Sequence, residues 1–184
     1  SRLFHQKGLD LFADNLEVIV NHGGMAVILA GGDDHLENRF QEMAQKYPQK
    51  ICFDNTYNVQ LANKIYAGAD MLVMPSRYEP CGLSQIVAMR NGTIPIVSNR
   101  GGLKDTVREF DPDTGKGTGF IMPEISAPAL LQTMVKAMEV FSDKKKWEKL
   151  MKNAAAEEFG WIDSAAEYVK LYDKILKKLR KGNR

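Results

Sequence analysis

The chain has 184 residues, 44% of them apolar, enough for one ordinary globular domain with its own core and too many for a disordered polypeptide. Lys and Arg number 25 against 23 Asp and Glu, a formal charge of +2, so no strong field directs it to nucleic acid or a membrane surface, and any anionic ligand must be held by a few placed groups. The only cysteines, Cys52 and Cys81, lie far apart without His or Cys at ligand spacing, which argues against a zinc site or disulfide framework and for a reducing, intracellular setting.

Ser1-Arg2-Leu3 reads as the end of a strand whose earlier residues are missing, so a fragment of a longer protein is expected. Residues 9 to 20 place Leu9, Phe12, Ala13, Leu16 and Val20 on one helical stripe, stopped by His22-Gly23-Gly24. "MAVILAGG" has the look of a strand buried on both faces. Asp33 and Asp34 precede a polar helix that ends near Tyr47-Pro48, "KICFDN" is a second strand, and Leu61, Ala62, Ile65, Tyr66 and Ala69 mark another helix. "DMLVMP" is the third clear strand and leads into the loop "SRYEPCGLSQ" and a short helix; "TIPIVSN" is the fourth, followed by Gly101-Gly102 and a short helix through Val107.

Residues 111 to 118, "DPDTGKGT", read as a flexible surface loop. Three helices are expected beyond it, marked by Leu130 to Met138, by Trp147, Leu150 and Met151, and by Tyr168 to Leu179, with a break at "FGW", residues 159 to 161, and a fraying basic end from Lys177 to Arg184. No apolar run approaches the roughly 20 residues that cross a bilayer, and the first residues do not look like a signal peptide.

Strands that alternate with helices through short connections, and that are apolar throughout, predict an α/β fold: a doubly wound parallel sheet with extra C-terminal helices. In such sheets ligands sit beyond the carboxyl ends of the strands. Glu79 lies there, in a loop that gains nothing from a glutamate if it only has to turn. The backbone N–H groups of Gly82, Leu83 and Ser84 would face outward at a helix N-terminus, where an anion could dock; the alternative is that Ser84 or Glu79 merely caps the helix. Arg2 and Lys7 flank the first strand end as two cations able to neutralise a diphosphate, or else stand as solvated surface charges. Tyr57, at another strand end, could stack on a base or pack on its own helix. Cys81 has no base beside it in sequence and reads as a small, half-buried thiol. His5 has no named partner and is given no role, and Gly31-Gly32-Asp33 lacks the dinucleotide fingerprint.

The segments "SRLFHQKGLD", "YAGADMLVMPSRYEPCGLSQIVAMRNGTIPIV" and "GGLKDTV", with "GTGF" and "FGW" further on, resemble the bacterial glycogen synthases and plant starch synthases, retaining glucosyltransferases built from two Rossmann-like domains. The similarity runs from residue 1 to about residue 175. The resemblance implies one half of a GT-B glycosyltransferase: a nucleotide-sugar-binding domain over residues 1–160 and a C-terminal helix, 161–184, that packs against an absent N-terminal domain. It implies ADP-glucose, or alternatively UDP-glucose, as donor, an α-glucan acceptor, no metal and no further cofactor, and no nucleic-acid or membrane partner. A cytoplasmic location is implied, or a plastid in a plant or alga. By the same resemblance Arg2 and Lys7 contact the diphosphate and Glu79 orients the donor sugar. Gly82, Leu83 and Ser84 offer amides to the distal phosphate from the loop that also holds Cys81, and Tyr57 lies against the adenine. Val87 stands where related transferases carry a second, ribose-binding glutamate, which leaves ribose recognition unassigned. The N-terminal lysine-threonine-glycine-glycine segment of the family and the histidine of its first domain have no counterpart here, so the fragment alone is expected to bind the donor without turnover. A UDP-dependent synthase on the same scaffold and a non-catalytic nucleotide-sugar-binding module are the other readings.

Overall fold

A computed structural model describes residues 1–182, with side chains to Leu179. β1 (Arg2–Leu3) runs through a single tight helical turn, His5–Lys7, into α1 (Leu9–Asn21). Then come β2 (Ala26–Leu29), β3 (Gly31–Gly32), α2 (Asp34–Lys46), β4 (Ile51–Asp54), α3 (Val59–Gly68) and β5 (Met71–Met74). The second half holds α4 (Ser84–Arg90), β6 (Ile94–Ser98), α5 (Gly101–Thr106), β7 (Phe120–Met122), α6 (Ala127–Ser142), α7 (Lys144–Ala155) and α8 (Trp161–Gly182).

Every ladder is parallel, as apolar strands joined by helices require. β2 pairs with β4, β3 with β1, and β5, β6 and β7 follow one another in that order. β3 continues β2 after Ala30, so β1, β2/β3 and β4 step outward in one direction and β5, β6 and β7 in the other. β1 and β5 are the innermost strands of the two halves, and the loops that leave their carboxyl ends touch. That is the topological switch point of an α/β sheet.

The core follows the helical stripes. Leu11, Phe12, Leu16 and Ile19 of α1 are buried with Ile28, Leu36 and Phe40; Ile94, Ile96, Phe120, Met122, Leu130, Leu150 and Trp147 are buried in the other half. Asn15, buried in α1, donates from Nδ2 to the Leu11 carbonyl at 3.0 Å and to the Ala127 carbonyl at 2.7 Å, which fixes α1 to the first turn of α6. Ser126 caps α6 and Asp143 caps α7, each accepting from backbone amides of the turn that follows.

Four expectations are corrected. The strands of "MAVILAGG", "KICFDN" and "DMLVMP" are not buried on both faces: Val27 is 55% exposed, Cys52 is exposed and all four residues of β5 are half-buried. These strands each pair on one edge only, whereas β6, paired on both, is buried at all five positions. A further strand, β7, follows the 111–118 loop. That loop is tied down: Asp111 accepts from Thr114 Oγ1 at 2.7 Å and from the Asp113 amide at 2.9 Å, and Asn153 of α7 donates to the Gly115 and Gly117 carbonyls at 2.8 and 3.0 Å. The basic end does not fray from Lys177; α8 continues to Gly182, and Asn183 and Arg184 lie outside the described residues.

Candidate functional site

Two loops, one after β1 and one after β5, build the centre of the site. Gly8 ends the first with φ 66°, and a Cβ there would stand 2.0 Å from the Pro75 carbonyl oxygen, so only glycine lets the loops approach this closely. The Arg77 amide donates to the Gln6 carbonyl at 2.8 Å, and Gln6 Nε2 donates to the Tyr78 carbonyl at 3.1 Å. Arg77 Nη1 and Nη2 each reach one carboxylate oxygen of Asp10 at 2.7 Å, and Nη1 also donates to the His5 carbonyl at 2.8 Å. This fork holds the Asp10 carboxyl below the usual carboxylate range, chiefly through its hydrogen bonds with the guanidinium.

The stitching brings Lys7 Nζ to 2.6 Å from Glu79 Oε2, although 72 residues separate the two in sequence. Glu79 is buried, and the same oxygen accepts from Ser76 Oγ at 3.3 Å. Ser76 is held in turn by Ser98 Oγ, which donates to its carbonyl at 2.5 Å from the end of β6. A carboxylate out of water keeps its charge only if paired and hydrogen-bonded, and both conditions are met here.

Beyond Glu79 the loop rests on bare backbone. Cβ atoms on Gly101 and Gly102 would stand 2.0 Å from the Glu79 and Cys81 carbonyl oxygens, and the Gly102 amide donates to the Glu79 carbonyl at 3.1 Å. Gln85, fully buried in α4, donates from Nε2 to the Gly82 carbonyl at 2.9 Å and to Thr106 Oγ1 at 3.1 Å, closing the turn in which Gly82 takes φ 73°. No side chain caps α4. Neither Ser84 nor Glu79 serves as the cap: the Glu79 carboxylate is turned to Lys7 and Ser76 instead. The first backbone amide of this segment with a backbone acceptor is that of Val87, bonded to the Leu83 carbonyl at 2.9 Å. The amides before it point out at the helix start with the positive end of the dipole behind them.

The structure thus joins Lys7, Glu79 and the Gly82–Leu83–Ser84 amides at one sheet edge. Arg2 is exposed on β1 with its guanidinium 5.5 Å from the Phe4 ring centre, and no ion pair links it to Glu79 among the described residues. Tyr57 is 96% exposed three residues past β4, at the same edge but on the outermost strand of its half; the reading that it packs on its own helix is not met. Cys81 is exposed, not half-buried, because it rides the crest of the loop between Pro80 and Gly82. The residues that organise the site, Asp10, Ser76, Arg77 and Gln85, were not singled out from sequence. The signal available was a second charge, Arg77, inside the very loop that carries Glu79. Among the described residues no group of three or more His, Cys, Asp or Glu side chains is arranged to hold a metal ion, and no helix is long and apolar enough to cross a membrane.

With this geometry in view, the chain was compared with known proteins. The family model for glycosyl transferases group 1 matches residues 1–157. The chain is 46% identical over 176 residues to a glycogen synthase of Kosmotoga olearia (strain ATCC BAA-1733 / DSM 21960 / TBF 19.5.1), covering 96% of this chain and 37% of that protein. It is 47% identical over 176 residues to a glycogen synthase of Desulfitobacterium hafniense (strain DSM 10664 / DCB-2), covering 95% and 38%. Its fold superposes with a TM-score of 0.85, at 31% identity, on the catalytic domain of starch synthase IV from Arabidopsis thaliana bound to ADP and acarbose, covering 95% of this chain and 37% of that one. The chain therefore spans little more than a third of the length of the relatives it matches. The family match over residues 1–157 and these identities show that the chain belongs to the group 1 glycosyl transferases.

Proposed function

We propose that this chain is the donor-binding half of a glycogen or starch synthase, which transfers glucose from ADP-glucose, or from UDP-glucose, to the non-reducing end of an α-1,4-glucan with retention. The observation that carries the reading is the Lys7–Glu79 pair, 2.6 Å long, set beside uncapped helix amides at the carboxyl edge of a parallel sheet. The chemistry needs those parts. As the bond between the sugar's anomeric carbon and the diphosphate oxygen breaks, negative charge grows on the leaving nucleotide. The Lys7 ammonium and the amides of Gly82, Leu83 and Ser84 are preorganised donors for that charge, with Arg2 joining them from the first strand. Glu79, buried and ionised beside Lys7, accepts from the sugar hydroxyls and orients the ring. Tyr57 and Cys81 line the donor side, Tyr57 against the base.

The acceptor glucan and the rest of the cleft belong to a further domain of the same polypeptide, against which α8 packs. In support, Trp161, Ile162, Tyr168, Tyr172, Ile175 and Leu179 of α8 are all exposed. The sugar nucleotide is the one small molecule this reading requires. Calorimetric titration of the chain with ADP-glucose and, separately, UDP-glucose tests it. Saturable binding that weakens about tenfold or more in Lys7→Ala is expected, from the loss of charge-assisted hydrogen bonds. Absence of binding by both nucleotides, or affinity indifferent to Lys7→Ala, overturns the assignment, and the tighter of the two donors fixes the base.

A further inference from the structure

The sheet has a lane running between β2 and β5. The backbone parity of the two strands shows where it lies. The amides of Ala26 and Ala30 donate toward β4, to the Lys50 and Asp54 carbonyls at 2.8 and 3.0 Å, so the even-numbered residues of β2 face β4 and the odd-numbered ones face the other way. On that other side the Leu29 carbonyl accepts from the Ser1 ammonium at 2.6 Å and the Gly31 amide donates to the Ser1 carbonyl at 3.3 Å. In β5 the Asp70 carbonyl accepts from the Ile94 amide of β6 at 2.9 Å, so Met71 and Val73 present their N–H and C=O groups away from β6. The segment that leaves β1 bonds the segment that leaves β5 through Gln6 and Arg77. β1 therefore lies one strand's width from both halves, and the line of β1 extended backward from Ser1 passes between β2 and β5. Among the described residues neither strand has a ladder partner on this side.

Unpaired strand edges are templates for another strand, and a lane bordered by two of them offers twice the hydrogen bonds of a single edge. We propose that this lane is a strand acceptor, which takes an extended apolar segment of about five residues, parallel to β2 and β5 and continuous in direction with β1. The direction is set by the β1–β3 ladder, already parallel at Arg2↔Gly31 and Leu3↔Gly32, which the incoming segment prolongs. Its apolar character is set by the walls. Ala26 and Ile28 are buried on one face, and Val27, with Met71, Leu72, Val73 and Met74 half-buried, lines the way with hydrocarbon and no charge. A charged or proline-containing segment does not fit, the first for want of a counter-ion and the second for want of an amide.

The test is backbone amide hydrogen exchange, read residue by residue. The probe is a C-terminally amidated peptide of two lysines followed by Val-Ile-Val-Ile-Val, added to the chain, and in a second arm the same five apolar residues fused directly ahead of Ser1. Exchange at Val27, Leu29, Met71 and Val73 should slow about tenfold or more in at least one arm, while Ile28 and Leu72, already bonded to β4 and β6, change little. A peptide with proline at its second and fourth apolar positions should protect none of them. Fast exchange at all four amides in both arms overturns the proposal. So does protection that grows with protein concentration without any added strand, which would mean that a second copy covers the edges. Because this readout involves neither nucleotide nor Lys7, its failure is separable from failure of the donor-binding reading.

Discussion

Arg77 grips both carboxylate oxygens of Asp10 at 2.7 Å across 67 residues of sequence, and this fork fastens the β1 loop to the β5 loop on which Lys7 and Glu79 respectively stand. Both partners are partly exposed, so solvent screens part of the attraction and the planar geometry of the fork contributes as much as the charge. Arg77→Lys should lower unfolding stability by about 1 kcal/mol and weaken nucleotide-sugar binding, because a point charge cannot hold two oxygens and a carbonyl at once. Thermal melting and calorimetry of the variant check both effects; an unaltered affinity would separate the fork from the site.

The same fork makes a pH prediction. Asp10 titrates below its ordinary value in the folded chain, so the stability it supplies is present above the unfolded aspartate's pKa, about 3.9, and is lost as pH falls through the lower folded value. Urea unfolding followed from pH 7 to pH 2.5 should show an acid limb, and Asp10→Asn should flatten that limb while lowering stability at neutral pH. Asp54 and Asp111 are displaced in the same direction by hydrogen bonds to Thr56 and Thr114, so part of the limb persists in the variant.

Glu79→Ala leaves the Lys7 ammonium half-buried without its partner, and Lys7→Ala leaves the buried carboxylate with Ser76 alone. Each single change should cost about 1 to 3 kcal/mol of stability, and the double change less than the sum, with a coupling of about 1 kcal/mol or more by denaturant melts. In the enzyme with its other domain, Glu79→Ala should lower kcat strongly. A chain that fails to fold on Glu79→Ala would make the residue a purely structural one.

Gly102→Ala should be among the most damaging changes to a small side chain, since its Cβ would stand 2.0 Å from the Cys81 carbonyl oxygen, an atom that cannot swing aside as a flexible side chain does. A loss of about 2 kcal/mol or more, or a displaced loop with weakened donor binding, is expected. Gly68→Ala, where nothing lies within 4 Å, serves as the control and should be nearly silent or mildly stabilising.

Asn153→Ala should release the 111–118 loop by leaving the Gly115 and Gly117 carbonyls without their donor. A stability loss of about 1 to 2 kcal/mol and faster proteolytic nicking between Asp111 and Thr118 are expected. Melting and limited proteolysis of the variant report both.

The parallel architecture was legible because runs such as "AVIL" and "MLVM" are apolar without alternation, and because helical stripes at three- and four-residue spacing separate them. The placement of Glu79 followed from strand-end logic. Its contact with Lys7 did not, since no periodicity reports on a pair 72 residues apart, and the expectation that the two share a site came from family resemblance. The order in residues 111–118 was invisible for the same reason, its donor Asn153 lying in a helix yet to come. β7 was missed because three residues, Phe120 to Met122, are too few to show a period. The exposure of Val27 and Cys52 was misjudged because an apolar strand reads alike whether its neighbour is on both sides or on one.

The Gly101–Gly102 step supports the Glu79–Cys81 stretch by main chain against main chain. The height of the carboxylate above the sheet is therefore decoupled from the identity of the side chains packed below it. Divergence of the interior can proceed through many substitutions without shifting the reactive rim, and a sequence change that does retune the rim must enter through these two positions or through the loop itself.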